Sequence, residues 1–341
     1  MDQPAKRPIV VVLGMHRSGT SLTANFLNAV GIDLGQDLLP PDEANEAGYW
    51  ESQKILEIHQ MILKELNCDW HNPPLSLPPV WWRKPKFQEL KSGLLEFVRS
   101  ECMRTENVLG FKDPRTAIVL PLWEEIFDEL QLEPLYILTV RHPGSVAESL
   151  SKRDRLVSAH SHALWLKTNL DIISYAGDNL RAIVDYDRWF DSGFEQATTL
   201  INALHLPHPV NEGQIADAVN QVVHPGLRHH SGDRDETCPP IVAELYSVLL
   251  RATAEGQIPD EVSQITTTFL NSLDLLNIWN DLVAGRDEII AGRDATIAER
   301  NAKIERLRGQ RKLLIYVIVS IIAIFAVIFS FLLFGAHNLT R

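Results

Sequence analysis

The chain has 341 residues, of which 45% are hydrophobic and 22% are charged, a composition typical of a globular protein with room for one core domain and further segments. Its formal net charge of −12 argues against nucleic acid as a partner, because a polyanion would be repelled by all but a strong local basic patch. The three cysteines, Cys68, Cys102 and Cys238, have no metal-binding spacing and favour a reducing compartment.

The first predicted element is a buried parallel strand over residues 9–13, which runs directly into a glycine. Apolar residues at helical spacing follow and predict a helix that begins at Thr20 or Ser21. Between strand and helix, Gly14 and Gly19 can adopt backbone angles that point amide hydrogens into one concavity, to which the helix N-terminus adds partial positive charge. This strand–loop–helix arrangement predicts a phosphate-binding site.

The loop has the spacing of the nucleotide-binding motif G-x-x-x-x-G-K-[ST], but Thr20 stands where the motif has lysine. A kinase or GTPase uses that lysine to hold the β- and γ-phosphates. The cation inside this loop is instead Arg17, two residues before Gly19. A tight Rossmann-type turn without a phosphate is the alternative interpretation of the loop.

An acidic loop over residues 39–51 follows the first predicted helix. Its prolines and Gly48 favour an extended path, and Gly48 with the neighbouring aromatic residues would fix the direction of the Glu51 side chain. The loop also contains Glu46. An amphipathic helix is predicted next, over residues 55–66.

Residues 70–85 are predicted to form a surface loop rich in proline and tryptophan. Tryptophan among prolines suits stacking on a sugar face or contact with a membrane interface. The alternative is a local core in which the tryptophans are buried. Helices are predicted over residues 87–103 and 120–130, on either side of a further strand.

That strand is predicted over residues 108–112 and ends in Lys112, and another apolar strand over residues 135–140 ends at Arg141. A helix begins just after Arg141 and carries Ser149. A guanidinium group and a hydroxyl group presented at a helix start suit a phosphate dianion. An ordinary strand–helix turn with a surface arginine is the alternative.

A helical pattern covers residues 159–181, and helical residues are predicted again over 239–282. The stretch 222–230 between them is a loop rich in histidine and arginine, which either closes over a nucleotide or forms solvated basic surface. Its histidines lack the spacing of a zinc site.

Strands alternate with helices from Ile9 to Tyr186, which predicts right-handed βαβ units and therefore an α/β fold with a parallel sheet. Ligand-binding groups at the carboxyl ends of such strands meet in one crevice. The side chains expected there are Arg17, Lys112 and Arg141. We predict that this nucleotide-binding domain spans residues 1–270.

Three heptads over residues 284–304 each contain one isoleucine, whereas the partner positions of the repeat are polar. This pattern predicts a charged helical stalk over residues 271–312, or a weak coiled coil that allows homo-oligomerisation. Residues 313–334 form an uncharged apolar run of 22 residues, which predicts one transmembrane helix before a short tail over 335–341. A buried core helix is the alternative for that run.

Four basic residues lie just before the predicted span, namely Arg306, Arg308, Arg311 and Lys312. A single one, Arg341, follows it. The positive-inside rule therefore predicts that residues 1–312 lie in the cytoplasm. No signal peptide is recognised at the N-terminus. We expect a single-pass membrane protein with a C-terminal anchor, in a bacterial inner membrane.

Two of these motifs resemble those of sulfotransferases that use 3′-phosphoadenosine-5′-phosphosulfate (PAPS). The order cation-Ser-Gly-Thr-Ser at residues 17–21 is similar to the family's 5′-phosphosulfate loop, and Arg141 with Ser149 eight residues later is similar to its 3′-phosphate site. The resemblance covers roughly residues 8 to 235. It implies a P-loop fold of the sulfotransferase type, with PAPS as donor and no metal. The implied donor-binding residues are His16, Arg17, Ser18, Gly19, Thr20, Ser21, Arg141, Ser149 and Arg228.

The resemblance also implies catalytic roles. In the family a lysine at the end of the strand that Lys112 matches reaches the transferring sulfonate. Several carbohydrate sulfotransferases place a glutamate base after the first helix, a few residues before an aromatic pair, which is where Glu46 lies. We nevertheless rank Glu51 first as proton acceptor, because Gly48 and the aromatic residues would fix its direction, and Asp113 beside Lys112 is the third candidate. The alternative for each of the three is a solvated loop carboxylate with no catalytic role.

The sequence therefore favours a membrane-anchored sulfotransferase that acts on a hydroxyl or amine of a glycan or lipid-linked acceptor. One alternative is a P-loop kinase of a small hydroxyl compound, which would need the missing lysine and a magnesium-binding acid. The other is a catalytically inactive membrane scaffold of the same fold, which would bind partners through its stalk. Metal dependence and PAPS affinity discriminate among the three.

Overall fold

The computed structural model describes residues 6–41, 48–74, 77–78, 80–224, 226, 238–255, 262 and 264–269, with 297, 299–304, 306 and 308 further on. The chain divides into two units, Met1–Leu270 and Asn271–Arg341. In the second unit the described residues are helical. The predicted transmembrane segment 313–334 lies outside the described residues, as do most of the predicted stalk, Glu46 and Arg228. Among the described residues, no helix has the length and apolar character needed to cross a membrane.

The first unit is built on a four-stranded parallel sheet with the order β2-β1-β3-β4, as the predicted α/β fold requires. Its strands are β1 (Arg7–Leu13), β2 (Leu109–Lys112), β3 (Leu132–Val140) and β4 (Leu180–Asp185). In the register, Val12 pairs with Lys112, Leu13 with Leu138, and Val140 with Asp185.

The described residues of this unit include nine α-helices with defined bounds, and further helical residues at 262 and 264–269. The nine helices are α1 (Thr20–Ala29), α2 (Gln53–Glu65), α3 (Pro85–Arg104), α4 (Thr116–Leu130), α5 (Pro143–Asp154), α6 (Ser158–Ala176), α7 (Arg188–Leu204), α8 (Glu212–Val222) and α9 (Pro240–Glu255). Short 3₁₀ turns lie at Trp81–Arg83 and Gly177–Asn179.

Strand β1 explains why the sheet is covered on both faces. Because successive side chains of a strand point to opposite faces, Ile9, Val11 and Leu13 pack into one core while Val10 and Val12 pack into another. The first core contains residues of α2–α6 and α9, and the second contains residues of α1, α7 and α8. The result is a three-layer α/β arrangement.

Two sequence predictions need correction. The helix predicted over 159–181 ends at Ala176, because Gly177 has a φ of +50° and the chain then enters β4 at Leu180. The helix predicted over 120–130 begins earlier, at Thr116.

In the predicted tryptophan loop, the alternative of a local core holds for Trp81, which is 2% exposed and packs edge-on against Trp82 and Phe87. The tryptophans of this loop are therefore not all presented to solvent.

Candidate functional site

The carboxyl ends of β1, β2 and β3 lie side by side and bring together the loop after Leu13, the Lys112 side chain and Arg141. The alternation of strands and helices predicted that ligand-binding groups would meet at this edge of the sheet. The helix predicted to begin at Thr20 or Ser21 is α1, which begins at Thr20.

The loop between β1 and α1 depends on two glycines. Gly14 has a φ of +150° and Gly19 a φ of +90°, and Arg17 also adopts positive φ, at 69°. A Cβ atom at Gly19 would overlap the ring of Tyr186, and one at Gly14 would lie 2.5 Å from the carbonyl oxygen of Thr139. The backbone thus approaches its neighbours too closely for any side chain at these positions.

The two predicted halves of the donor site are in direct contact. Arg17 Nε donates a hydrogen bond to Ser149 Oγ at 2.8 Å, and Arg141 Nη1 donates one to the carbonyl oxygen of Arg17 at 3.3 Å. The Arg141 guanidinium also lies 4.3 Å from the centre of the Tyr186 ring. Residues more than 120 positions apart in sequence therefore form one cationic cluster.

The cluster brings two buried arginines together, although the chain as a whole is acidic. Burial lowers the pKa of Arg17, and the charges of Arg153 and Arg141 lower it further. Burial likewise lowers the pKa of Arg141. Groups whose positive charge is this unfavourable would be stabilised by a bound anion.

His16 is also buried near cationic side chains. Burial holds its pKa well below the usual value, and the charges of Arg115, Arg153 and Lys112 act in the same direction. Its ring packs against Trp70, with the ring centres 4.2 Å apart. Asp113 acts on the His16 pKa in the opposite direction, but burial is the largest cause and favours the neutral imidazole.

Two polar atoms of the loop are buried without a hydrogen-bond partner among the described residues, Ser18 Oγ and His16 Nε2. Buried polar groups are normally satisfied, so each requires an explanation. A hydroxyl group and an imidazole beside a glycine-rich loop suit the oxygens of a phosphate or sulfonate group. The residues present thus fit a PAPS-type donor.

Glu51 and Lys112 form a buried ion pair next to the loop. Lys112 Nζ lies 2.7 Å from Glu51 Oε1 and 3.2 Å from Ser21 Oγ, and Arg115 Nη1 lies 3.4 Å from Glu51 Oε2. Burial lowers the pKa of Lys112, whereas Glu51 raises it. The structure thus brings the first candidate base and the predicted sulfonate-binding lysine together.

The backbone fixes the position of Glu51. Its carbonyl oxygen accepts a hydrogen bond from the N–H of Leu39 at 2.8 Å, and the next residue, Ser52, caps the N-terminus of α2. Gly48 and Trp50, which were expected to set its direction, both have positive φ.

Asp113 already accepts several hydrogen bonds. Its Oδ2 atom lies 2.9 Å from His59 Nδ1, and its Oδ1 atom accepts from the backbone N–H and from Nη1 of Arg115, each at 2.9 Å. Burial alone would raise the pKa of Asp113, but its contacts with His59 and Arg115 hold it far below the usual range. This environment favours an organising role for Asp113 over proton acceptance.

Sequence reasoning did not single out His59 and Arg115. His59 is a polar residue on the buried face of α2, among Ile55, Ile58 and Ile62, and that position was the available signal. Arg115 stands in the quoted Lys-Asp-Pro-Arg sequence, but nothing there indicated that it would contact Glu51. Among the described residues, no group of three or more His, Cys, Asp or Glu side chains could hold a metal ion.

The chain is similar to solved structures, but not to the family models or curated proteins with which it was compared. No family model matches the chain, and a search of curated proteins finds no match.

Among solved structures, the sulfotransferase domain of the Synechococcus PCC 7002 olefin synthase is similar with a TM-score of 0.41 and 19% identity, over 79% of this chain and 97% of that one. Sulfotransferase STF9 from Mycobacterium avium has a TM-score of 0.40 and 13% identity, over 80% of this chain and 78% of that one. Mouse sulfotransferase SULT7A1 complexed with PAP has a TM-score of 0.34 and 15% identity, over 81% of this chain and 84% of that one.

Proposed function

We propose that this chain is a sulfotransferase, which transfers a sulfonate group from PAPS to a hydroxyl or amine of a glycan or lipid-linked acceptor. The observation that carries the proposal is the junction of the two phosphate motifs, where Arg17 contacts both Ser149 and Arg141. PAPS has a 3′-phosphate and a 5′-phosphosulfate on one ribose. It therefore needs two anion sites close together, which these residues supply.

The 5′ side of the donor would be bound by the loop. Ser18 and His16 contribute their buried polar atoms, the first turn of α1 contributes backbone N–H groups, and Arg17 contributes charge. Thr20 and Ser21 add hydroxyl groups at the helix start. The 3′-phosphate would be bound by Arg141 and Ser149. When bound, the donor supplies the sulfonate group.

Lys112 and Glu51 would carry the remaining roles. Lys112 lies next to Ser21 and would stabilise negative charge on the sulfonate. Glu51 would take the proton of the acceptor. Once Lys112 interacts with sulfonate oxygens, it would no longer neutralise the Glu51 carboxylate, which could then accept the proton. Asp113 is a weaker candidate base, because its oxygens already accept three hydrogen bonds. Glu46 remains an alternative candidate for the base.

We also propose that residues 313–334 anchor the chain in a membrane with residues 1–312 in the cytoplasm, where PAPS is made. This part of the proposal is based on the apolar run and its basic flank. Protease added to sealed cells should leave the catalytic unit intact. Its digestion from the outside would contradict this topology.

The reaction can be tested with PAPS labelled in the sulfonate group. We expect the purified chain to transfer the label to an acceptor in membrane lipid or glycan fractions, which mass spectrometry then identifies. EDTA should leave the transfer intact, since no step assigned to these residues uses a metal. Activity that needs magnesium and ATP would instead establish the kinase alternative.

A further inference from the structure

A chain of buried hydrogen bonds begins at Trp123 in α4. The Trp123 Nε1–H group donates to His59 Nε2 at 2.9 Å, and His59 is completely buried. An indole N–H can only donate, so His59 Nε2 must carry a lone pair and the imidazole proton must be on Nδ1. That Nδ1–H group faces Asp113 Oδ2 at 2.9 Å. The tautomer of His59 is thus fixed by its two neighbours.

The series of hydrogen bonds continues from Asp113 to the candidate base, Glu51. Asp113 Oδ1 accepts from the backbone N–H and from Nη1 of Arg115, which fixes the guanidinium group. The same Nη1 atom lies 3.4 Å from Glu51 Oε2, while Lys112 Nζ holds Glu51 Oε1 at 2.7 Å. Each member from Trp123 to Glu51 is therefore oriented by the one before it.

This network joins three separate parts of the fold. Glu51 lies just before α2, His59 in the middle of α2, Asp113 after β2 and Trp123 in α4. Since His59 connects α2 to the end of β2, it sets the position of Glu51 relative to Lys112. We infer that His59 is a positioning residue for proton transfer by Glu51, an inference that rests on the proposed sulfotransferase function.

The two ring nitrogens explain why histidine suits this position. One nitrogen must accept from Trp123 and the other must donate to Asp113, on opposite sides of one ring. Leucine fills similar space but can do neither. The side-chain amide of asparagine can donate to Asp113 as Nδ1–H does. Comparing His59→Leu with His59→Asn therefore separates packing from positioning.

The test uses PAPS with water as the acceptor, because this probe needs no knowledge of the natural acceptor. The water oxygen bonds to sulfur, the bond from sulfur to the 5′-phosphate oxygen breaks, and the water proton passes to Glu51. The products are hydrogen sulfate and adenosine 3′,5′-bisphosphate (PAP). Full-length variants are compared by kcat and KM for PAPS cleavage and by PAP affinity, with folding checked by circular dichroism.

We expect His59→Leu to lower kcat about 10- to 100-fold, the range that small misplacements of catalytic groups produce. KM and PAP affinity should change by less than about twofold, since the phosphate motifs are untouched. His59→Asn should recover most of the lost kcat. A merely structural role would not give this rescue together with unchanged PAP affinity.

Trp123→Phe provides a second variant should His59→Leu fail to fold. It removes the donor that fixes the tautomer, so kcat should fall several-fold. The matched control is Trp81→Phe, which truncates another fully buried tryptophan. Trp81 does not belong to the hydrogen-bond network, so kcat should be unchanged.

Three results would overturn the inference: His59→Leu with normal kcat, equal losses in His59→Leu and His59→Asn, or a wild-type protein that binds PAP without cleaving PAPS. Failure of the wild-type protein to bind PAP at all would instead contradict the proposed function on which the inference rests.

Discussion

The phosphate-binding side and the proton-accepting side of this site are built in opposite ways. On the phosphate side, Arg17 and Arg141 lie close together, and burial makes their charges unfavourable. On the proton-accepting side, Glu51 and Asp113 are neutralised by Lys112 and Arg115. The first arrangement places two buried cations side by side, whereas in the second each carboxylate is paired with a cation and thereby held in one geometry.

The largest effect is expected on the proton-accepting side. Glu51→Gln should reduce turnover by about 10²–10⁴-fold, because the amide cannot take a proton. PAP affinity should barely change, since this substitution leaves the phosphate motifs intact. Steady-state kinetics combined with calorimetry measures both quantities.

The control for this change is Glu133→Gln, which removes a carboxylate paired with Arg181 away from the site. Near-normal turnover in Glu51→Gln, with loss in Asp113→Asn, would move the base to Asp113 and remove the contrast between the two sides.

The next effect is expected on the phosphate side. Arg17→Ala and Arg141→Ala should each weaken PAP binding by about 1.5–3 kcal/mol, the usual contribution of a hydrogen bond that involves a charged group. Calorimetry at fixed ionic strength measures the loss. Arg181→Ala, which removes an arginine paired with Glu133, is the control and should leave PAP affinity unchanged.

Gly19→Ala tests whether the shape of the loop is required. The added Cβ would overlap the Tyr186 ring at a φ of +90°, so we expect destabilisation by about 1–3 kcal/mol and weaker PAP binding. Thermal unfolding with and without PAP measures both effects. Gly177→Ala is the control, because Gly177 also has positive φ but an added Cβ there would meet nothing within 4 Å, so PAP binding should not change. An unchanged melting temperature in Gly19→Ala would contradict this loop geometry.

The smallest effect concerns Asp185 at the end of β4. Burial and the charge of Asp187 raise the pKa of Asp185 to about 6. A raised carboxyl pKa means that folding favours the protonated form, so stability falls as pH rises from about 4 to about 6 and stays lower above that range. Asp185→Asn should therefore gain about 1–2 kcal/mol at pH 7.5 and nearly nothing at pH 4.

Denaturant unfolding at the two pH values measures this gain, with the exposed Asp178→Asn as control. An equal gain at both pH values would show that the effect is not due to the Asp185 charge.

Sequence predicted the phosphate side well because its determinants are local. Residues 14–21 are contiguous, and a strand, two glycines and a helix start are visible in the order of residue types. The Arg141 strand was visible for the same reason. The family resemblance implied that the two motifs serve one donor site, but the direct contact of Arg17 with Ser149, 2.8 Å apart, was not predicted.

The proton-accepting side was harder to predict because it is assembled from distant segments. His59, Asp113 and Trp123 come from three elements, and their hydrogen bonds depend on how α2 and α4 pack against the end of β2. Residue order contains no signal for such packing beyond a histidine among apolar positions. The strand β4 was partly misassigned as helix because the apolar spacing of 159–181 continues past Gly177.

The most direct test of the account compares the binding of PAP with that of adenosine 5′-monophosphate, by calorimetry in EDTA. The two nucleotides differ by the 3′-phosphate, which we assign to Arg141 and Ser149. We expect PAP to bind more tightly, and Arg141→Ala to remove most of this difference while changing the affinity for the monophosphate little. Equal affinities of the wild-type protein for the two nucleotides, or binding of neither, would contradict the account.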